Sequence, residues 1–533
     1  MPKILVSSMA GTDPEPRFEQ ESGPGTGAVR STFRKRFLGN LGSNLVLLFF
    51  GLATNIALLR LFVDKLGSSS SGVWIFLASL GEFLLLLDLG MGSALVRFIA
   101  GARGRADHLL ESCFDRAGRR FFLVASSSAV LITLLLAGPV RSILERHGSG
   151  EPTMGLTFLF VGLEAAVTLG FTPVRARLQA IHRYDLVNWV FLGRLTVRFV
   201  ALMVLLPLIP DMATIAACGL VSTAGANMVI AHLAKPRRGD ELKTGPCGSG
   251  LWSRLAGYGF WVFLSMVGVR LAYTADTLVL GRFLPPATVT LYYSAWRIVE
   301  LVRSIGHGAA PFFLPFGSER VGARDHGALP VAFYQGARIV TALTFPLGVV
   351  LLGAGGDVLR LWLGPDFTKA EIFLVLLLAP QLLILTFSPA SALVFGMGRQ
   401  RMLVIYSLFA GVLNVGLSIF LTRFLGALGV AVGTTVALTV SLIFNLWFFP
   451  RTIGFSRRIY LRIVGRGSAL LVAGAVLVRS LAAADQDPWM RLAIATLGGL
   501  LFIPTYIAWE FTALERQELI ERIRGVERPG RDG

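Results

Sequence analysis

Long apolar runs recur along this chain from Leu38 to about residue 511, and short polar stretches separate them. A run of ~20 mostly apolar residues is the length that an α-helix needs to cross the hydrocarbon core of a bilayer. The pattern therefore predicts an all-α, polytopic membrane protein of about fourteen spans. The predicted spans are 38–63, 72–97, 120–143, 154–173, 186–208, 212–234, 256–283, 287–316, 336–361, 367–395, 402–423, 426–449, 467–484 and 489–511.

Composition agrees with this pattern, because 54% of the residues are hydrophobic and only 15% are charged. A chain of 533 residues with that balance has more apolar surface than a water-soluble core can hide, so the excess must face lipid. The net charge of +18 is compatible with nucleic-acid binding, but the basic residues lie in short loops and form no recognition module. We therefore predict no nucleic-acid partner.

The basic residues instead indicate the orientation of the chain in the membrane. The N-terminal tail and the loops on its side hold 35 Lys and Arg residues, whereas the opposite set of loops holds 9. Positively charged loops stay in the cytoplasm. Both termini are therefore predicted to be cytoplasmic, which requires an even number of spans.

A weak internal repeat divides the chain into two parts. An offset of 216 residues aligns Gly90 with Gly306 and Gly92 with Gly308, so the second span resembles the eighth. Two pseudo-symmetric six-helix lobes and a C-terminal helix pair are predicted. The predicted units are a disordered tail (1–37), an N-lobe (38–234), a cytoplasmic linker (235–255), a C-lobe (256–450), two further spans (451–511) and a cytoplasmic tail (512–533).

Sites typical of soluble enzymes are not evident. Cys113, Cys218 and Cys247 have neither the spacing of a disulfide framework nor that of a metal site, and we predict no metal and no cofactor. No Walker sequence is present, and no loop is long enough for a catalytic domain. A membrane-embedded glycosyltransferase or polymerase is the alternative from another functional class, but it would need a sizeable extramembrane loop. The chain is not expected to be an enzyme.

The second span, GVWIFLASLGEFLLLLDLGMGSALVRFIA, has an acidic residue before a Gly-x-Gly turn and an arginine after it. In this it resembles the polysaccharide and O-antigen flippases of the multidrug, oligosaccharidyl-lipid and polysaccharide (MOP) exporter superfamily. The same resemblance extends over most of the chain. It is carried by LQAIHRYDLVN at 178–188, ADTLVLGRFLPPATVTLYYSAWRIVE at 275–300, LWLGPDF at 361–367 and LGALGVAVGTTVAL at 425–438.

The resemblance implies an alternating-access carrier in a bacterial inner membrane, with a polar cavity between the lobes. The implied substrate is an oligosaccharide on a polyprenyl pyrophosphate, used for cell-surface polysaccharide such as lipopolysaccharide. Polysaccharide polymerases and glycosyltransferases are the implied protein partners. Fourteen spans depart from the twelve of many sugar-repeat flippases and occur in the peptidoglycan precursor flippases. A peptidoglycan lipid precursor flippase and a cation-coupled multidrug exporter therefore stay open as alternatives.

Ionisable residues inside spans are costly in a bilayer unless they face water or a partner, so they are the candidates for a substrate cavity. Arg297 lies ten residues, or ~15 Å, from the outer end of its span, and Arg270 lies at a similar depth. Guanidinium groups at this depth suit an anionic pyrophosphate or acidic sugar. The full candidate set is Glu82, Asp88, Arg270, Asp276, Arg297, Glu300 and Arg303.

Structural interpretations stay open for several of these residues. Glu300 can form an ion pair with an arginine of its own helix, three residues away. Glu82 and Asp88 can serve as proton or cation sites, and Asp88 can equally mark a helix distortion without a ligand. Arg194 and Arg198, near the cytoplasmic end of the fifth span, are expected to snorkel towards the headgroups.

Overall fold

The computed structural model describes residues 26–146, 152–235, 245–248, 250–308, 327–399, 401–482 and 487–510, together with positions 313, 317, 319 and 320. The described part is helical throughout and has no strand, which confirms the predicted all-α class. The predicted terminal tails fall largely outside the described residues. In chain order the helices are α1 (Thr26–Leu84), α2 (Met91–Gly104), α3 (His108–Glu145), α4 (Met154–Gly170), α5 (Thr172–Ala180), α6 (Tyr184–Leu208), α7 (Met212–Leu233), α8 (Leu251–Tyr273), α9 (Ala275–Phe283), α10 (Pro286–Gly308), α11 (Ala328–Leu363), α12 (Glu371–Leu385), α13 (Ser388–Gly396), α14 (Arg401–Leu425), α15 (Ala427–Ile453), α16 (Arg457–Ala482) and α17 (Pro488–Glu510).

The first helix contains two spans that meet at a sharp turn. Gly67 has φ 79° and ψ 170°, a conformation that only glycine adopts without strain. The rings of Phe62 and Trp74, on either side of this turn, lie 6.3 Å apart. Twelve residues of straight helix would separate them by ~18 Å along the axis. The chain therefore doubles back at Gly67, with no loop between the first and second spans.

The structure has twelve helical stretches that are long and apolar enough to cross a membrane. The stretch Val46–Gly104 counts once among them although it turns back at Gly67. Helix α10 is not among the twelve, because charged residues interrupt it, but it has 23 residues and packs along α1. Adding these two to the twelve gives fourteen spans in the described part of the chain, as predicted.

The second span is broken near its cytoplasmic end. After α1 a short 3-10 turn, Leu85–Asp88, leads to Gly90, which has φ 74°. Asp88 Oδ1 accepts a hydrogen bond from the Gly92 amide at 3.1 Å and so caps the start of α2. A Cβ on Gly90 would lie 2.2 Å from the Gly259 carbonyl oxygen of α8. The acidic residue and the Gly-x-Gly sequence thus stabilise a break in the helix and allow two spans to approach closely.

The first half of the chain, the predicted N-lobe (38–234), and the second half, the predicted C-lobe (256–450), also meet tightly at the predicted outer end, where α1 runs against α10. A Cβ on Gly72 would lie 1.8 Å from the carbonyl oxygen of Pro286. Thr290 Oγ1 donates a hydrogen bond to the Ser68 carbonyl at 2.6 Å. Because backbone touches backbone here, the two halves are in direct contact at this end.

The last two helices pack against α11 and against each other, away from the space between the halves. The carboxylate of Glu510, at the end of α17, lies 3.2 Å from the guanidinium groups of both Arg338 and Arg466. Arg491 forms a second link, 2.9 Å from the Asp357 carboxylate. These ion pairs fix the helix pair to the second half of the molecule.

One prediction about the cysteines is wrong. Cys113, in the first turns of α3, forms a disulfide with Cys247, just before α8. The guanidinium of Arg116 lies 3.3 Å from the Cys247 sulfur and donates to the Gly245 carbonyl at 2.9 Å. This pair could not be predicted from spacing, because 134 residues separate the two cysteines. Cys218 is free and buried.

Candidate functional site

A polar cavity of about 320 Å³ lies between the two halves. The two spans of α1 and helix α6 supply one wall, and α8, α9 and α10 supply the other. We call it the central cavity. Its charged lining residues are Glu82, Arg198, Arg270, Arg297, Glu300 and Arg303.

An ion pair crosses the central cavity from one half to the other. The Arg270 guanidinium of α8 donates to the Glu82 carboxylate of the second span. Thr274 Oγ1 lies 3.4 Å from the same carboxylate. The side chains of Arg270 and Glu82 are 30% and 49% exposed, so solvent in the cavity screens their attraction. An anion can therefore compete with Glu82 for this guanidinium.

Helix α10 contributes a stripe of charge. Arg297 pairs with Glu300 and donates to the hydroxyl of Tyr293, while Arg303 lies 3.7 Å from the other oxygen of Glu300. The intrahelical ion pair considered from the sequence is therefore present. Two guanidinium groups share this one carboxylate, so the stripe keeps a net positive charge.

Aromatic rings line the same wall. The rings of Tyr273 and Trp296 stack at a centroid distance of 5.7 Å, and the Arg303 guanidinium lies 4.7 Å from the Tyr273 ring. Trp74 lines the opposite wall. A cavity with a few placed charges on an otherwise apolar, aromatic surface is typical of a small-molecule site.

The central cavity carries an excess of positive charge. Its four arginines stand against two glutamates, which leaves +2. Depth makes this imbalance significant, because Arg297 lies eleven residues into α10, or ~16 Å from its start. Uncompensated charge near the middle of a bilayer costs several kcal/mol. The arrangement suits an anionic ligand.

The structure places two predicted cavity residues elsewhere. Asp276 is 3% exposed and lies among neutral partners, accepting from Tyr292 at 2.6 Å, Asn414 at 2.9 Å and Thr434 at 2.7 Å. Asp88 caps α2 instead. Neither lines the central cavity. Sequence position gave their depth in the membrane but not the direction in which each side chain points.

The prediction that Arg194 and Arg198 snorkel towards the headgroups is also wrong. Both point into the first half of the molecule, where their guanidinium nitrogens lie 3.7 and 4.0 Å from the Glu164 carboxylate. Arg198 also lines the central cavity. Their spacing of four residues puts both on one helix face, and this sequence feature could have predicted that they share a partner.

A larger and mainly apolar cavity of about 670 Å³ is lined mostly by the second half, and Asn44 and Leu48 of α1 also line it. Helices α8, α10, α14 and α15 form most of its walls. It shares Val269, Tyr273 and Arg303 with the central cavity, so the polar and the apolar spaces adjoin.

Comparisons with known proteins agree with this architecture. Residues 262–420 match the family model for MatE. The structure of "Lipid II flippase MurJ, inward closed conformation" superposes with a TM-score of 0.69 at 14% identity, covering 90% of this chain and 98% of that one. An inward-facing multidrug resistance MATE family transporter of the MOP superfamily has a TM-score of 0.63 at 17% identity, covering 76% of this chain and 94% of that one.

A curated relative from Bacillus subtilis (strain 168), "Uncharacterized membrane protein EpsK", is 25% identical over 274 residues. The match covers 50% of this chain and spans about half, 54%, of that relative's length. The family model matches part of the second half, and the structural likenesses extend over both halves. Together these findings show that this multi-pass membrane protein has the fold of transporters and flippases of the MOP superfamily, and they support a relationship to that superfamily.

Proposed function

We propose that this chain is a flippase that moves a polyprenyl-pyrophosphate-linked oligosaccharide from the cytoplasmic to the outer leaflet of a bacterial inner membrane. The translocated sugar then serves cell-surface polysaccharide synthesis, where polymerases and glycosyltransferases act on it. The central cavity is the main support for this proposal, because it places a charge of +2 at mid-membrane between the two halves of the molecule.

Pyrophosphate matches the chemistry of this cavity. Arginine presents planar donors that bind phosphate oxygens in pairs, and it stays charged at every physiological pH. Arg270 and Arg297 come from different helices of the second half and each already holds a carboxylate. A pyrophosphate replaces those carboxylates with stronger, multiply charged acceptors.

The adjoining apolar cavity supports an amphiphilic cargo. A lipid-linked sugar has a polar head and an isoprenoid chain, and the structure offers a polar space that opens into an apolar one. A soluble ion needs no such apolar space. This favours a lipid-linked anion over a small hydrophilic one.

Contacts between the halves at both ends support alternating access. The approach of Gly72 to Pro286 joins the halves at the predicted outer end, and the approach of Gly90 to Gly259 joins them near the cytoplasmic end. The halves must separate at the second contact to admit the cargo and at the first to release it outside. A rocking motion of the halves around a fixed site is the general mechanism of carriers built from repeats.

A second candidate is a peptidoglycan lipid precursor flippase, which the likeness to MurJ over 90% of this chain favours. Its cargo also carries a pyrophosphate, so the central cavity suits both. A cation-coupled multidrug exporter is disfavoured, since a cavity of charge +2 repels a cationic drug.

Gene deletion tests the proposal. The deletion strain is expected to lose surface polysaccharide and to accumulate the sugar-linked polyprenyl intermediate, measured by mass spectrometry of lipid extracts. The wild-type gene should restore both, Arg270→Lys in part, and Arg270→Ala not at all. Arg360→Ala, which removes an exposed arginine outside the cavities, is the matched control and should restore fully.

Two other outcomes have distinct meanings. Accumulation of the peptidoglycan precursor in place of the polysaccharide intermediate would assign the protein to the second candidate. Unchanged surface glycan together with unchanged pools of both lipid intermediates would contradict the flippase function itself.

A further inference from the structure

A second charged cavity lies inside the first half of the molecule. It has a volume of about 370 Å³ and is enclosed by the second span and helices α4 to α7. We call it the N-terminal chamber. Its polar lining includes Glu164, Thr168, Arg175, Arg194, Arg198 and Thr223.

The N-terminal chamber communicates with the central cavity. Trp74, Ala78, Glu82 and Arg198 line both spaces. A ligand bound in the central cavity can therefore extend a substituent into the chamber without leaving its own site.

Positive charge in the N-terminal chamber is incompletely balanced. Arg194 and Arg198 lie 3.7 and 4.0 Å from the one oxygen of Glu164 that they share, and Thr223 already donates to that oxygen at 2.8 Å. Both separations exceed hydrogen-bond length. The Nε atoms of both arginines are buried and have no hydrogen-bond partner.

A third arginine also lines the N-terminal chamber. Arg175 donates to the Thr168 carbonyl at 2.8 Å and to Thr172 Oγ1 at 2.7 Å, which orient it, and the Asp88 carboxylate attracts its charge. Glu82, the other carboxylate of the lining, is paired with Arg270 across the central cavity. Three guanidinium groups therefore face the carboxylates of Glu164 and Asp88, which leaves an excess of one positive charge, and Arg198 is shared with the central cavity.

Depth makes this excess costly. Arg194 and Arg198 are ten and fourteen residues into the 25-residue helix α6, or ~15 and ~21 Å from its start. Charges near the middle of a membrane occur where a partner or a functional ligand compensates them. Unused guanidinium donors around a cavity indicate an anionic ligand.

We propose that the N-terminal chamber is a second anion site, which binds an acidic group on the glycan while the central cavity binds the pyrophosphate. This inference rests on the proposed function and narrows the substrate to lipid-linked oligosaccharides with a carboxylate or phosphoester substituent. Guanidinium groups bind both kinds of oxyanion in the same bidentate geometry. A neutral sugar would leave the charge of the chamber uncompensated.

Calorimetry on the purified full-length chain in lipid nanodiscs tests this site. The probes are glucuronate for a carboxylate, glucose 6-phosphate for a phosphoester, glucose as the neutral control, and inorganic pyrophosphate for the central cavity. At least one of the two acidic sugars should bind, and glucose should not. The acidic sugar that binds more tightly identifies which oxyanion the chamber prefers.

Variants that change the charge of the chamber in opposite directions distinguish a ligand-binding role of this cluster from a purely structural one. Arg194→Gln should weaken binding of the acidic sugar about tenfold, the effect of losing one charged hydrogen bond, whereas Arg194→Lys should weaken that binding less. Glu164→Gln should strengthen it about fivefold, because it removes a competing negative charge. If the cluster served only to hold helices together, Glu164→Gln would not raise affinity for any anion. Thermal melting of each variant establishes that it is folded.

Each result has one meaning. The inference is overturned if neither acidic sugar binds better than glucose, if folded Arg194→Gln binds it as wild type does, or if Glu164→Gln fails to strengthen it. Arg297→Gln, which removes an arginine that lines the central cavity and not the chamber, should weaken pyrophosphate binding and leave binding of the acidic sugar unchanged. If Arg297→Gln leaves pyrophosphate binding at the wild-type level, the proposed function fails while the chamber still stands.

Discussion

Closure of the predicted outer end rests on a contact that one methyl group can disrupt. In Gly72→Ala the new Cβ would lie 1.8 Å from the Pro286 carbonyl oxygen and 3.0 Å from Thr290 Oγ1. The first of these atoms belongs to the backbone, so no side-chain rotation relieves the clash. The two halves must move apart at this end by about 1.6 Å, the difference between 1.8 Å and an ordinary contact of 3.4 Å.

The energy of this displacement can be estimated from two contributions. Forcing an extra methyl group into a packed contact costs ~1–3 kcal/mol. The hydrogen bond from Thr290 to the Ser68 carbonyl, 2.6 Å long, is then stretched, which costs ~0.5–1.5 kcal/mol more. Since ~1.4 kcal/mol is a factor of ten, opening at this end should become roughly ten- to a thousandfold more favourable.

Labelling from outside the cell measures this opening. Ala78 lines the central cavity, so Ala78→Cys places a thiol there for a membrane-impermeant maleimide. Gly72→Ala should increase its labelling rate at least about tenfold. Gly101→Ala, in α2 with no atom within 4 Å of the added Cβ, is the matched control and should leave the rate unchanged. Equal labelling in folded Gly72→Ala and Gly101→Ala would refute closure at this contact.

Three further outcomes are expected. Asp276→Ala leaves the groups that donate to this buried carboxylate without an acceptor. We therefore expect the free energy of unfolding to fall by ~3 kcal/mol or more and the melting temperature to drop. A wild-type melting curve would contradict that role. Glu510→Gln removes the charge that two arginines share, so the free energy of unfolding should fall by ~1–2 kcal/mol and the melting temperature by a few degrees. Pyrophosphate binding should not change. Weakened binding would show that the terminal helix pair acts on the cavity. In the unfolded protein, maleimide-polyethylene glycol should label only Cys218 before reduction and all three cysteines after it, and labelling of three cysteines without reduction would contradict the disulfide.

Hydropathy predicted most of the fold, because the bilayer imposes one length and one secondary structure on every span. It did not predict the turn at Gly67, where two spans join without a polar loop. The predicted end of the eighth span, residue 316, lies beyond the continuously described part of α10 and stays a prediction. Apolar composition marks the presence of a span but not the glycine turn that can join it to the next.

The candidate site was predicted in part for a related reason. Position in a span gives the depth of a residue, and Arg270, Arg297 and Glu300 have the expected depth and line the central cavity. The rotation of each helix depends on its neighbours, which sequence position does not reveal. Arg194 was therefore assigned to the headgroups although it faces Glu164 inside the molecule.

The polar cluster around Asp276 illustrates what long-range packing adds. Its partners Tyr292, Asn414 and Thr434 come from three different helices, and two of them are more than 130 residues away in sequence. No local pattern marks such a group. The same holds for Cys113 and Cys247, which only the packing of α3 against the segment before α8 brings together.

Translocation by the purified protein tests the central proposal most directly. Liposomes that contain the protein and a polyprenyl-pyrophosphate-linked oligosaccharide in the inner leaflet are sampled over time for sugar that an added glycosidase can reach. Wild-type protein should expose the inner-leaflet sugar much faster than protein-free liposomes, and Arg270→Ala should not exceed the protein-free rate. Exposure by folded wild-type protein at the protein-free rate would contradict the flippase function.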